Sequence, residues 1–126
     1  MNYLDLLMAM IFAHFLADWT LQTRLVAENK SKYAYIMLVH SFVWTFCLYV
    51  PLLIAGYHIY PPLFLTMILL HCWVDEWKCN KVWKKKDDKG KELPFNADNF
   101  QPWHLYVDQG IHFLQVVALW AIYIST

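Results

Sequence analysis

AYIMLVHSFVWTFCLYVPLLIAGY, residues 34–57, contains no Lys, Arg, Asp or Glu and one histidine, His40. At ~1.5 Å of rise per residue, a helix of this length covers the ~30 Å hydrocarbon layer of a bilayer. Pro51 is expected to kink that helix or to end its regular part. Three similar runs accompany it, at about 3–21, 61–78 and 103–124. Pro61 and Pro62 suit a helix start, where a missing N–H costs nothing. The third run is the shortest and carries Asp75 and Glu76 near its end. Composition agrees: 60% of residues are hydrophobic and 18% aromatic, against roughly 45–50% apolar in a soluble domain. A chain of 126 residues cannot bury that much apolar surface in a soluble core. The expected fold is all-α, a four-helix transmembrane bundle forming a single domain over residues 1–126.

Charge placement predicts the orientation. All ten Lys and Arg residues fall in or beside two connections. Arg24, Lys30 and Lys32 lie between the first and second runs. Lys78, Lys81, Lys84, Lys85, Lys86, Lys89 and Lys91 lie between the third and fourth. In a four-span chain these connections share one side, and the positive-inside rule makes that side cytoplasmic. Both termini and the 56–62 turn are then outside. Trp19, Trp73, Trp77 and Trp103 mark the basic interface, and Tyr3, Tyr57, Tyr60 and Tyr123 the other. The N-terminus lacks a basic n-region and a cleavage site, so the first run reads as a retained helix. The expected location is a bacterial inner membrane. The basic loops are expected to meet anionic lipid headgroups, and the 79–102 loop serves either as a solvated connection or as a lid. The net charge of zero gives no sign of nucleic acid, and a homo-oligomer is left open. Cys47, Cys72 and Cys79 are odd in number and lack C-x-x-C spacing, which argues against a disulfide framework.

A short set of ionisable residues remains inside the runs: His14 and Asp18, His40, His71 and Asp75, and Asp108 and His112. Three helices thus carry a His/Asp pair four residues apart, a spacing that stacks both side chains on one helical face. The order is His-then-Asp in two descending helices and Asp-then-His in the ascending fourth. All three carboxylates therefore fall about one turn inside the cytoplasmic interface, with the imidazoles about one turn deeper. His40 matches the deeper level. Such groups cost at least ~2.5–3.5 kcal/mol each in hydrocarbon when charged, so they should face inward and meet. Imidazole and carboxylate are the donors of zinc, manganese or iron. The predicted ligands of a divalent metal are His14, Asp18, His40, His71, Asp75, Asp108 and His112. These exceed the needs of one tetrahedral ion, so two ions are allowed, with carboxylates bridging them or supporting the imidazoles. Gln22, Lys78 and Gln109, near the mouth, are candidates for holding a substrate phosphate or carbonyl oxygen.

The series His14-x-x-x-Asp18-x-x-x-Gln22, Lys30, His40, His71-x-x-x-Asp75-x-x-Lys78 and Asp108-Gln109-x-x-His112 resembles a domain-of-unknown-function family, number 3307, of small bacterial and phage membrane proteins. The resemblance covers nearly the whole chain. It implies a multi-span membrane protein and supplies no reaction. The lysine-rich third connection and its aromatic tail depart from it by their length. In the style of its site the chain is more loosely similar to membrane-bound metal-dependent hydrolases.

Three functions remain open. The first is a metal-dependent hydrolase acting on a lipid headgroup or lipid-linked substrate. The second is an ion or proton handler, against which the apolar outer halves of the runs argue. The third is a non-catalytic structural or partner-binding module with a buried His/Asp network. No Ser or Cys nucleophile arrangement, Gly-rich phosphate loop or H-E-x-x-H motif is present.

Overall fold

The computed structural model describes residues 1–20, 33–77, 89–90 and 102–126. Among them are four α-helices and no strand: α1 (Tyr3–Phe15), α2 (Ala34–Ile54), α3 (Pro61–Trp77) and α4 (Pro102–Ile124). α1 runs directly into a π-helical turn, Leu16–Thr20. The helix ends have local causes. The Asn2 side chain accepts the Asp5 N–H at 2.8 Å, satisfying one of the free donors of the first turn. Pro51 stands inside α2, which continues through it to Ile54. The helix then stops short of residue 57 because Gly56 turns the chain at φ +89°, a conformation glycine adopts without steric cost. The Gly56 N–H donates to Leu53 O and the Tyr57 N–H to Leu52 O, the paired bonds of a Schellman close.

The helices follow one another around the bundle, with α1 against α2 and α4, and α3 against the same two. At one end both termini and the 55–60 turn come together. The Trp120 Nε1–H donates to Tyr3 O at 2.8 Å, and the Tyr123 hydroxyl donates to His58 O at 3.0 Å. Toward this end the interior is apolar: Leu6 and Met10, Leu48 and Leu52, and Val116 and Leu119 form one core with Tyr49 and Tyr123.

The other half of the interior is polar. His14, His40, His71, Asp75, Asp108 and His112 are all buried. The outer surface is the reverse, with Leu4, Met8 and Phe12 on α1, Leu65 and Leu69 on α3, and Leu114 on α4 exposed. Two stretches, Ala34–Ile54 and Tyr106–Ile124, are long and apolar enough to cross a membrane. By itself α1 has 13 residues and α3 has 17, so length alone marks two of the four expected spans.

Candidate metal centre

The three His/Asp pairs are each built by one turn of helix. His71 Nε2 lies 3.4 Å from Asp75 Oδ2 on α3, and His112 Nε2 lies 3.5 Å from Asp108 Oδ1 on α4. The α1 pair differs, because Asp18 sits in the π turn rather than in regular helix. The widened turn leaves its carboxylate between two helices. Asp18 Oδ2 is 3.8 Å from His14 Nδ1, while Oδ1 is 3.6 Å from His40 Nε2 on α2. π turns recur at functional sites for this reason, since one extra residue re-aims a side chain.

Around these pairs the helices bring the ring nitrogens together. His40 Nε2 and His71 Nε2 are 3.2 Å apart, and each lies 3.4 Å from Asp75 Oδ2. The other oxygen of the same carboxylate, Oδ1, lies 3.4 Å from His112 Nε2. Asp75 is thus the hub, touched by imidazoles from α2, α3 and α4. The donor atoms of Asp18, His40 and His71, and those of His71, Asp75 and His112, each lie within 4.8 Å of one another. A tetrahedral ion bound at ~2.0–2.1 Å to each donor holds its donors about 3.3–3.4 Å apart. The His40, His71 and Asp75 triangle has that size.

Comparison with known proteins adds the family. The chain belongs to the DUF3307 family, proteins of unknown function. The match spans residues 6–126, and so takes in every residue of this centre from Asp18 to His112. No characterised protein and no solved structure matches the chain.

His14 stands apart from the other histidines of this DUF3307 chain. The Trp44 indole N–H donates to His14 Nδ1 at 2.9 Å. The imidazole must therefore carry its proton on Nε2, and from there it donates to Gln109 Oε1, also at 2.9 Å. Both ring nitrogens are engaged, and His14 belongs to neither donor cluster. Gln109 completes the chain by donating from Nε2 to Asp108 Oδ2 at 3.3 Å. Its amide is directed to His14 and Asp108. Gln22 and Lys78, the other candidates for substrate contact, lie outside the described residues, as do most residues of the basic connections.

Trp44 is the residue that sequence reasoning passed over. It is wholly buried, stacks on the His71 ring at a centroid distance of 4.2 Å, and meets His112 edge-on at 5.6 Å. It closes the centre on the side of the apolar core, where Leu48 and Leu52 follow it along α2. The signal was available: Trp44 is four residues after His40, on the same helical face. Ser41 and Cys72 form a smaller polar contact beside it, the Cys72 thiol donating to Ser41 Oγ at 3.0 Å. Cys47 and Cys72 are free thiols.

Proposed function

We propose that this chain is an integral membrane metalloprotein whose His/Asp centre holds a divalent ion near the cytoplasmic leaflet. The observation that carries the reading is the convergence of His40 Nε2, His71 Nε2 and Asp75 Oδ2 at 3.2–3.4 Å. Three further groups, Asp18, Asp108 and His112, surround that triangle. Three carboxylates buried this close repel one another unless protons or cations lie between them. A divalent ion compensates that charge and uses the imidazoles as donors.

The membrane assignment rests on the inverted distribution of side chains. Phe12 and Leu114 are each 67% exposed while His71 and His112 are fully buried, the arrangement that lipid rather than water rewards. α1 with its π turn extends ~27 Å and α3 ~25 Å, close to a hydrocarbon layer when flanking residues reach the interface. The basic connections set both termini outside and rest against anionic headgroups of a bacterial inner membrane.

Hydrolysis is the chemistry that this centre suits. A bound ion lowers the pKa of its water and polarises an ester or phosphoester oxygen. Asp18 is less buried than the histidines, and a lipid headgroup or lipid-linked substrate would approach the centre from its side. Conduction across the bilayer is disfavoured, because Trp44, Leu48, Leu6 and Met10 fill the interior beyond the centre.

Elemental analysis of protein purified in detergent without chelator tests the proposal. Zinc, manganese or iron is expected at about one ion per chain or more. Protein that is metal-free and takes up none of these ions would overturn it.

A further inference from the structure

We infer that the centre is dinuclear, with the Asp75 carboxylate as the bridge between two ions of unequal coordination. The inference rests on the metalloprotein reading above and extends it to a second ion position. The two oxygens of Asp75 face different donor sets. Oδ2 meets His40 Nε2 and His71 Nε2, each at 3.4 Å. Oδ1 meets His112 Nε2 at 3.4 Å, and that nitrogen is also 3.5 Å from Asp108 Oδ1. An imidazole nitrogen ligates one ion. His71 Nε2 lies 3.2 Å from His40 Nε2, which assigns it to the first position, and His112 Nε2 falls to the second.

The first position then has four protein donors: Asp18 Oδ1, His40 Nε2, His71 Nε2 and Asp75 Oδ2. Asp18 Oδ1 is 3.6 Å from His40 Nε2 and belongs to one donor cluster with His71. Four donors saturate a tetrahedral ion, as in structural sites. The second position has three: Asp75 Oδ1, Asp108 Oδ1 and His112 Nε2. Three protein donors and one open place are the pattern of a catalytic ion. A carboxylate bridging through both oxygens holds two ions about 3.5–4 Å apart.

Charge allows the pair, since one ion and two ions leave residual charges of equal size and opposite sign. Asp18, Asp75 and Asp108 carry three negative charges when ionised. One divalent ion leaves the buried cluster negative, and a second brings it to a small positive value. The hydrogen bonds around the second position are also in place. Gln109 Nε2 donates to Asp108 Oδ2, the oxygen not assigned to the ion, and so orients the ligand oxygen as supporting groups do in metal sites. His14 and Trp44 hold Gln109 in turn, so the chain from Trp44 to Asp108 positions a ligand without ligating.

The test loads the purified full chain with Mn(II) alone, removes excess metal, and measures manganese per chain together with the electron paramagnetic resonance spectrum. The unmodified protein should hold about two ions per chain and give an exchange-coupled signal. Asp108→Asn and His112→Ala should each reduce this to about one ion with the six-line spectrum of isolated Mn(II). Asp75→Asn should abolish the coupling even where metal remains. Circular dichroism and size exclusion check that each variant keeps its helical fold, and the near-isosteric Asp108→Asn serves if His112→Ala does not fold. A single uncoupled ion in the unmodified protein would overturn the dinuclear inference and leave the metalloprotein reading standing. No bound ion would overturn both.

Discussion

Replacing Trp44 with Phe isolates the one part of the centre whose hydrogen bonds define a protonation state. The indole N–H donates to His14 Nδ1 at 2.9 Å, both residues being buried. Phe preserves an aromatic face against His71 and removes the donor. Two costs follow. The His14 acceptor is left buried and unsatisfied, worth ~1–3 kcal/mol in a protein interior, and the smaller ring leaves a void worth about 1 kcal/mol. Side-chain hydrogen bonds inside membrane proteins average only ~0.6 kcal/mol and reach ~1.7, so the lower half of the first range applies. The total loss is expected to be about 2–3 kcal/mol. It should be read from reversible unfolding in mixed micelles as dodecyl sulfate is raised. A double-mutant cycle with His14→Leu separates the pair from the void, and a coupling of ~0.6–1.7 kcal/mol is expected. Bound metal per chain should fall less with Trp44→Phe than with a ligand variant, because His14 is engaged by Trp44 and Gln109 and lies outside both donor clusters. Zero coupling would refute the hydrogen-bonded role of the pair. A loss of metal on the scale of a ligand variant would refute the assignment of His14.

Further outcomes follow from other parts of the chain. His71→Ala should lower bound metal and melting temperature in detergent, and chelator should reproduce the stability loss in the unmodified protein, since an ion bound to the folded state alone stabilises it by mass action. Leu48→Ala, deep in the apolar half, should cost ~2–5 kcal/mol in the same unfolding assay while leaving metal content intact. If it releases metal as readily as a ligand variant, the two halves of the interior are not separate. Reporter fusions at either terminus and in the 56–62 turn should give an external signal, and a cytoplasmic signal from the C-terminal fusion would refute the orientation.

The centre could be foreseen to the extent that helical periodicity governs it. His71 with Asp75 and Asp108 with His112 are pairs at a four-residue spacing, and that spacing alone places both members on one face. His40 had no such partner, and only its depth along α2 linked it to the others. What periodicity does not carry was missed. The π turn at Leu16–Thr20 departs from the regular repeat, so the reach of Asp18 to His40 could not be read from residue spacing. The role of His14 depends on which residue opposes it from α2 and α4. Trp44 and Gln109 supply those partners, and no rule on a single helix pairs them. Gln109 was read as a mouth residue because a polar side chain near an interface suggests solvent or substrate, whereas its amide is committed to His14 and Asp108. In the fold, the start of α3 at Pro61 followed from proline chemistry, and the turn before it fell within the expected 56–62 stretch. The end of α2 did not, because the apolar run continues past the residue at which the backbone reverses.

X-ray absorption at the metal edge of protein purified without chelator tests the central claim most directly, that His40, His71 and Asp75 are donors to a divalent ion. The first shell should be nitrogen and oxygen at about 2.0–2.2 Å, with the outer-shell scattering of at least two imidazoles, reduced when His40 or His71 is replaced by Ala. A shell dominated by sulfur at about 2.3 Å, or a protein that holds no metal before or after loading, would contradict it.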